Sequence, residues 1–192
     1  QGRSTQGLPS DADEARVREA LESIRQSGWP WEVYGPVVMA AVRSGAPVIG
    51  GNLPRTQMRG AMGQAELDGL VSPAVLQRQR DGIRESHCGL LPESQIAPMT
   101  RIQLARDRAM AQTATQALIP GKTVLLVAGN GHVREDLGVP LHLPAFVGRK
   151  VVMAQAGAPR DASAPPADAV WQTPALPPRD HCAELKQRMP SR

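Results

Sequence analysis

The feature that most constrains this chain is an apolar segment that runs directly into a glycine-flanked histidine. Residues 122–128 read Lys-Thr-Val-Leu-Leu-Val-Ala, with no alternation of polar and apolar side chains. Such a run predicts a strand that is buried on both faces of a parallel sheet. The segment continues into Gly129-Asn130-Gly131-His132. Because ligands of parallel sheets bind at the carboxyl ends of strands, this turn is the first place where chemistry is expected.

The rest of the chain alternates between helical and strand-like patterns. Three more strands are predicted at 46–51, 151–154 and 169–172. Helices are predicted over 11–27, 36–44, 54–63, 72–86, 94–118 and 179–188. This alternation predicts an α/β fold with a mostly parallel sheet flanked by helices. We expect one domain over residues 1–192, with a flexible loop at 156–168.

Charge and composition exclude several classes of protein. Basic residues number 22 against 18 acidic residues, and aromatic residues make up only 3% of the chain. Nucleic-acid binding takes a clustered basic patch with stacking aromatics, so no nucleic-acid partner is expected. No apolar run approaches the roughly 18–20 residues that span a bilayer. The first residues also lack the apolar centre of a signal peptide.

Polar side chains follow two of the predicted strands. His132, with Asn130 and Arg134 beside it, is suited to bind a metal, relay a proton or pair with an anion. Asn52 and Arg55 occupy the same position after another strand and offer an amide and a planar guanidinium for carboxylates. The alternative for both groups is turn and helix-cap chemistry without a ligand.

An aromatic cluster surrounds the single tyrosine. Tyr34 lies close to Trp29 and Trp31. Aromatic side chains beside one phenol suit a flat apolar ligand such as a porphyrin, and a tyrosine oxygen can ligate haem iron. The alternative, which composition favours, is a packing cluster between the first two helices.

Two further sets of residues leave alternatives open. Cys88 and Cys182 each follow a histidine, His87 and His181, and form either two buried thiols or one disulfide. On the helix over 94–118, Gln103, Arg106 and Asp107 either support a site or form a solvated surface, and the solvated ion pair is the default interpretation.

Several segments resemble the ChaN-like haem-binding uptake family of the Tiki/TraB-related superfamily, in which erythromycin-esterase-like proteins are also placed. These segments are Ala46–Arg55, His87-Cys88-Gly89 with Pro92, Gln103–Ala111 and above all Gly129–Pro140 (GNGHVREDLGVP). The resemblance runs from about residue 28 to residue 186.

The resemblance implies an α/β fold and haem as the bound cofactor in iron uptake. It also implies a periplasmic or lipid-anchored location, with membrane association only through an anchor absent from this sequence. Haem binding in the family is tied to dimerisation, so a homodimer is expected. The same resemblance favours a Cys88–Cys182 disulfide.

A haem carrier is the first functional hypothesis, because one phenol lies among aromatics and basic groups follow the predicted strands; its haem pocket would lie at the strand ends. Trp31 and Tyr34 would supply an apolar wall or an axial oxygen, and His132, Arg134 and Arg55 would meet the iron or the propionates. The remaining pocket residues are Asn52, Asn130 and His87.

The wider superfamily implies an alternative, a metal-dependent hydrolase of peptidase or esterase type. There His132 would be a metal ligand, and Asn52 or His87 would orient the substrate. The superfamily site uses two GxxH motifs, and Gly129–His132 matches the second. The first, a Gly-Glu-x-His strand, has no counterpart in this sequence, which predicts a sheet that is incomplete on its amino-terminal side and has an exposed apolar edge.

Overall fold

A computed structural model describes residues 3–21, 30–157 and 167–188. Trp29, the end of the first predicted helix and most of the predicted loop at 156–168 lie outside the described residues. Contacts divide the chain into two compact units, Gln1–Asn52 and Leu53–Arg192. The single-domain expectation stays a prediction.

In its described residues, the first unit contains two helices around a small apolar core. Helix α1 spans Glu14–Ala20. Asp13 caps its amino-terminal end, because the Asp13 side chain accepts a hydrogen bond from the Arg16 backbone N–H at 2.8 Å. Helix α2 spans Trp31–Arg43 and starts five residues before the predicted 36–44, with Pro36 inside it. The core comprises Ala12, Val17, Leu21, Met39 and Val42.

The predicted strand at 46–51 is wrong. The segment makes only an isolated antiparallel bridge between Ile49 and Ser4, and the Thr5 hydroxyl accepts a hydrogen bond from the Val48 N–H at 2.9 Å. Pro47 has no N–H to donate, and the glycines that follow weaken a strand, so a short apolar run is not enough for a ladder here.

The second unit is built around one long helix. Its helices are α3 (Arg55–Met62), α4 (Pro73–Ser86), α5 (Glu93–Gln116), α6 (Asn130–Val133) and α7 (His181–Arg188), with 3₁₀ turns at Ala65–Leu70 and Val139–His142. Helices α3 and α4 and both 3₁₀ turns pack against α5. Arg101 of α5 binds both carboxylate oxygens of Asp68 at 3.0 Å, which fixes the first 3₁₀ turn on α5.

The sheet of the second unit is parallel and two-stranded. Strand β1 spans Val152–Ala156 and β2 spans Ala169–Thr173, with Val152 opposite Ala169. Helices with a parallel sheet confirm the α/β fold class, although the sheet is much smaller than predicted. Met153 faces the interior of the unit and is buried, whereas every residue of β2 is exposed.

The segment predicted as the clearest strand is extended but unpaired. Residues 123–128 make no backbone–backbone hydrogen bond within the described part of the chain, so the strand prediction is wrong for this segment. Burial alternates along it: Leu126 and Ala128 pack on a core cluster, whereas Leu125 is 81% and Val127 49% exposed. Both sets of side chains are apolar, which is why the sequence showed no alternation.

A disulfide joins Cys88, two residues after the end of α4, to Cys182 in α7, with a Cα–Cα distance of 5.7 Å. The pairing implied by the family resemblance is therefore present. Among the described residues, none of the helices combines the length and apolar character needed to cross a bilayer.

Candidate functional site

His132 lies in α6, a single helical turn that follows the unpaired extended segment. Gly129 precedes the turn, and its carbonyl accepts a hydrogen bond from the His132 N–H at 2.8 Å. His132 is only 8% exposed. Neither Gly129 nor Gly131 has a positive φ, so this turn does not require glycine for its backbone conformation. A Cβ at Gly131 would meet open space, so this position does not require glycine for steric reasons either.

A fully buried carboxylate holds the imidazole. Asp107 of α5 is 0% exposed, and its Oδ1 lies 2.5 Å from Nδ1 of His132. Asp107 shares the buried face of α5 with Thr100, Leu104 and Ala111. Burial raises the pKa of the Asp107 carboxyl, and the hydrogen bond with His132 opposes that rise.

Gln103 contacts the same imidazole from one turn earlier on α5. Its side-chain amide lies 2.9 Å from Nδ1 and 3.5 Å from Nε2 of His132. Arg106 in turn contacts the Gln103 amide oxygen, at 3.4 Å. Two polar side chains at i and i+4 on one helix therefore determine where the ring lies.

The chain that follows His132 is held by α4. Asp136 accepts two hydrogen bonds from Arg134, at 2.9 and 2.8 Å, and one from Arg78 at 2.7 Å. Gln79 donates to the Leu137 carbonyl at 2.6 Å. The hydrogen bond from Arg134, with its charge, lowers the pKa of the Asp136 carboxyl, so Asp136 is ionised at neutral pH.

Gly138 is required at its position for steric reasons. A Cβ there would lie 2.1 Å from the backbone carbonyl oxygen of His132. No side chain fits in that space, so Gly138 allows the chain to return closely against the histidine.

A second histidine lies near the buried carboxylate. Within the described residues, Oδ2 of Asp107 and Nε2 of His142 are buried without a hydrogen-bond partner. Each group shifts the pKa of the other electrostatically, but burial dominates and lowers the pKa of the His142 imidazole. His142 belongs to the 3₁₀ turn that packs on α5.

The other predicted site residues near α6 have structural partners. Asn130 donates to the Ala154 carbonyl at 3.1 Å and so joins α6 to β1. Arg134 is paired with Asp136. His87 follows α4, where its Nδ1 lies 2.9 Å from the Ile83 carbonyl, next to the disulfide. In the described part of the chain, none of these three side chains forms a hydrogen bond with the imidazole of His132, and their predicted roles in haem binding stay predictions.

The aromatic residues of the first unit lie on α2. Trp31 packs against the core there, its ring covers Gly35, where a Cβ would lie 2.6 Å away, and the Arg18 guanidinium lies 5.3 Å from the ring centroid. Trp31 therefore has the packing role that composition favoured. Tyr34, one turn further, is half-buried.

Asn52 and Arg55 do not follow a strand, because the strand at 46–51 is not formed. Asn52 is half-buried in a bend at the end of the first unit, and Arg55 is the exposed first residue of α3 in the second unit. Their predicted position at a strand end is therefore wrong.

Sequence reasoning underestimated Asp107 and passed over His142 and Gly138. The interpretation of Arg106 and Asp107 as a solvated ion pair is wrong, because Asp107 is fully buried and bonds to His132. The available signal was the helical period, which places Asp107 three or four residues from Leu104 and Ala111 on an otherwise apolar face.

The arrangement offers one well-oriented imidazole rather than a set of metal ligands. No group of three or more His, Cys, Asp or Glu side chains in the described residues is placed to hold a metal ion. Haem iron, whose porphyrin supplies four nitrogens, needs only one or two protein ligands, and histidine is a common one. The donor set around His132 therefore fits haem iron. The hydrolase alternative stays a prediction.

Comparisons with known proteins place the chain in a family. A family model described as haem-binding uptake, Tiki superfamily, ChaN matches residues 4–143. A solved structure of ChaN from Campylobacter jejuni, whose title describes cofacial haem binding, is similar with a TM-score of 0.61 and 25% sequence identity. The similarity covers 76% of this chain but 58% of that one, so the chain spans less than two thirds of the length of that ChaN. No curated protein matches the chain significantly. Because the family model covers well over half of the 192 residues, the chain belongs to the ChaN family of haem-binding uptake proteins in the Tiki superfamily.

Proposed function

We propose that this chain binds haem and that His132 is a ligand of the haem iron. The observation that carries the proposal is the orientation of the imidazole. Asp107 engages Nδ1 of His132 at 2.5 Å. Metal-bound histidines ordinarily have this arrangement, with one ring nitrogen held by a carboxylate and the other available to the metal.

Membership of the ChaN family supports haem rather than another ligand of an imidazole. The similar Campylobacter jejuni ChaN is described as binding haem cofacially. Haem, when bound, supplies a planar apolar surface, an iron centre and two propionates. Arg55 is exposed at the start of α3 and is the candidate for the propionates, since Arg134 already binds Asp136.

Tyr34 is the second candidate for an iron ligand, through its phenol oxygen. It lies in the first unit and His132 in the second, so the two ligands are tested as separate variants. Trp31 is a candidate for apolar contact only, since its ring packs between Gly35 and Arg18.

A haemin titration followed by absorbance tests the proposal. The wild-type chain is expected to shift the Soret band in a saturable way. The variant His132→Asn keeps a side-chain N–H near Asp107 but removes the imidazole, so the shift should weaken or change position. Tyr34→Phe measures the contribution of the phenol oxygen.

The matched control is His181→Asn. His181 is exposed and contacts the Ser86 carbonyl in another part of the second unit, so this variant reports nonspecific capture of haemin by surface histidines. A wild-type chain without a Soret shift would overturn the proposal. If His132→Asn and His181→Asn both leave the Soret shift unchanged, His132 is not a ligand of the haem iron.

We also propose that the protein acts in iron uptake, in the periplasm or attached by a lipid to a membrane facing it, as a homodimer. The Cys88–Cys182 disulfide supports an oxidising compartment. Cell fractionation with thiol labelling tests the location: an oxidised pair in the periplasmic or membrane fraction is expected, and free thiols in the cytosol would contradict it. Sedimentation with and without haemin tests dimerisation, and a monomer under both conditions would contradict it.

A further inference from the structure

We propose that Asp107 is a positioning residue that fixes the ring proton of His132 on Nδ1, so that the lone pair of the neutral ring is on Nε2. The inference rests on the proposed function for its ligand but not for its geometry. It assigns to a fully buried residue of α5 a role that the family match does not assign.

The geometry permits one strong partner for Nδ1. Oδ1 of Asp107 lies 2.5 Å away, closer than the Gln103 amide nitrogen at 2.9 Å, and of these two atoms only the carboxylate oxygen can accept the ring proton. A neutral imidazole carries one proton, on either Nδ1 or Nε2. A carboxylate can only accept a hydrogen bond, so an ionised Asp107 requires that proton on Nδ1.

The surroundings of Asp107 decide that the carboxylate has this role. Arg106 is the neighbouring cation on α5, and the hydrogen-bond partner of the Asp107 Oδ1 is His132. Leu104 and Ala111 are buried on the same helix face, where a hydrogen bond is stronger than in water. His132 is therefore held in one tautomer before a ligand arrives.

The position of Asp107 also argues against a role in packing alone. A carboxylate on the apolar face of a helix costs stability unless a hydrogen-bonded partner compensates for its burial. An apolar residue would fill this position more simply. The contact with His132 is what the buried carboxylate provides.

The first readout needs no haem. Long-range ¹H–¹⁵N NMR of the histidine rings distinguishes the two tautomers in the ligand-free protein at pH 8. The wild-type chain should show His132 with a protonated Nδ1 and an unprotonated Nε2. In Asp107→Asn the side-chain NH₂ can donate to Nδ1, which should move the ring proton to Nε2.

The second readout is haemin affinity. Asp107→Asn should bind haemin about ten- to a hundredfold more weakly, the usual effect of losing a carboxylate behind a metal-bound histidine. Asp107→Glu should restore part of that affinity because it keeps a carboxylate. The control Asp136→Asn removes a carboxylate from the chain after His132 that does not touch the ring, and it should leave the tautomer unchanged.

The outcomes separate this inference from the proposed function. A wild-type His132 with its proton on Nε2 overturns the inference, and this measurement needs no variant to fold. Haemin binding that depends on His132 but not on Asp107 also overturns it. An Nδ1–H tautomer that is lost in Asp107→Asn, in a chain that binds no haemin, supports the inference while the proposed function fails.

Discussion

Asp107 and His132 are separated by 25 residues in the sequence, yet Oδ1 of one lies 2.5 Å from Nδ1 of the other. The contact joins the centre of the long helix α5 to the single turn α6. It also satisfies one oxygen of a carboxylate that is 0% exposed. The pair therefore contributes to both the stability of the second unit and the orientation of the imidazole.

Removing the imidazole alone should be costly. His132→Ala leaves the Asp107 carboxylate buried and unpaired, which should lower the free energy of unfolding by about 3 kcal/mol or more. The double variant His132→Ala/Asp107→Ala also removes the unpaired carboxylate and should recover part of the lost free energy of unfolding. Denaturant titrations of the two single variants, the double variant and the wild type measure the coupling energy. A double variant whose loss equals the sum of the single losses would show that the two residues do not interact.

The second unit should lose stability under mild acid because of His142. Burial lowers the pKa of His142 in the folded chain below its ordinary value of 6.5. The unfolded chain therefore binds this proton first, and folding stability falls as the pH drops below about 6.5. Asp107 acts in the opposite sense, since its raised pKa favours folding at lower pH. The pKa of the Asp136 carboxyl is lowered in the folded chain. Its contribution to folding stability is therefore lost only near and below its ordinary pKa of 3.8.

The contribution of His142 is measured by comparing the pH dependence of stability in the wild type and in His142→Gln. Denaturant unfolding of the wild type and His142→Gln between pH 5 and 7, a range that follows from the ordinary histidine pKa of about 6.5, should show a steeper loss of stability in the wild type. The exposed His181→Gln should follow the wild type. Parallel curves for the wild type and His142→Gln would contradict the prediction.

Gly138 and Gly131 form a matched pair for alanine substitution. Gly138→Ala would place a Cβ against the His132 carbonyl oxygen, so the backbone must move, at a cost of about 2 kcal/mol or more. Gly131→Ala faces open space and should change stability little. Thermal unfolding measures both, and the NMR signals of the His132 ring should move in Gly138→Ala only. Equal stability of the two variants would contradict this prediction, since it would show that the backbone around Gly138 can move without a loss of stability.

Reduction of the disulfide should destabilise the protein. Cys88 and Cys182 close a loop with a sequence separation of 94 residues. The double variant Cys88→Ser/Cys182→Ser should lose about 2–5 kcal/mol in the free energy of unfolding. A reducing agent should reproduce the loss in the wild type and leave the double variant unaffected. The neighbouring change His181→Ala removes one exposed hydrogen bond and serves as the control for local effects.

The extended segment should be open to solvent exchange. Residues 124–128 have backbone N–H groups without partners in the described part of the chain, so their amide hydrogens should exchange much faster than those of Leu104 and its neighbours in α5. Mass-spectrometric hydrogen exchange over the two peptides tests this. Strong protection of 124–128 would mean that another strand pairs with the segment in solution.

Much of the fold followed from local signals. Ser72-Pro73 and the apolar period predicted α4, and the observed helix begins at Pro73 and ends at Ser86. The segments predicted as strands at 151–154 and 169–172 form β1 and β2, and these two strands pair in parallel. Capping and periodicity act over a few residues, so they can be found without knowledge of the tertiary structure.

Strand pairing was harder to predict than strand-like sequence. Residues 46–51 and 122–128 both have the composition of buried strands, but neither belongs to a ladder in the described chain. A strand needs a neighbour with free backbone groups, and the apolar run itself carries no information about that neighbour.

The sequence by itself determined the helices, the family and the histidine at the end of the Gly-Asn-Gly turn, because those depend on short patterns of side chains. Only the tertiary structure decided what that histidine touches. In the folded chain Asp107 is buried and contacts His132, Arg134 forms a salt bridge with Asp136, and His142 lies near the buried carboxylate. The physical reason is that the energy of a buried polar group depends on its partner across space, and the partners here come from helices far apart in the chain.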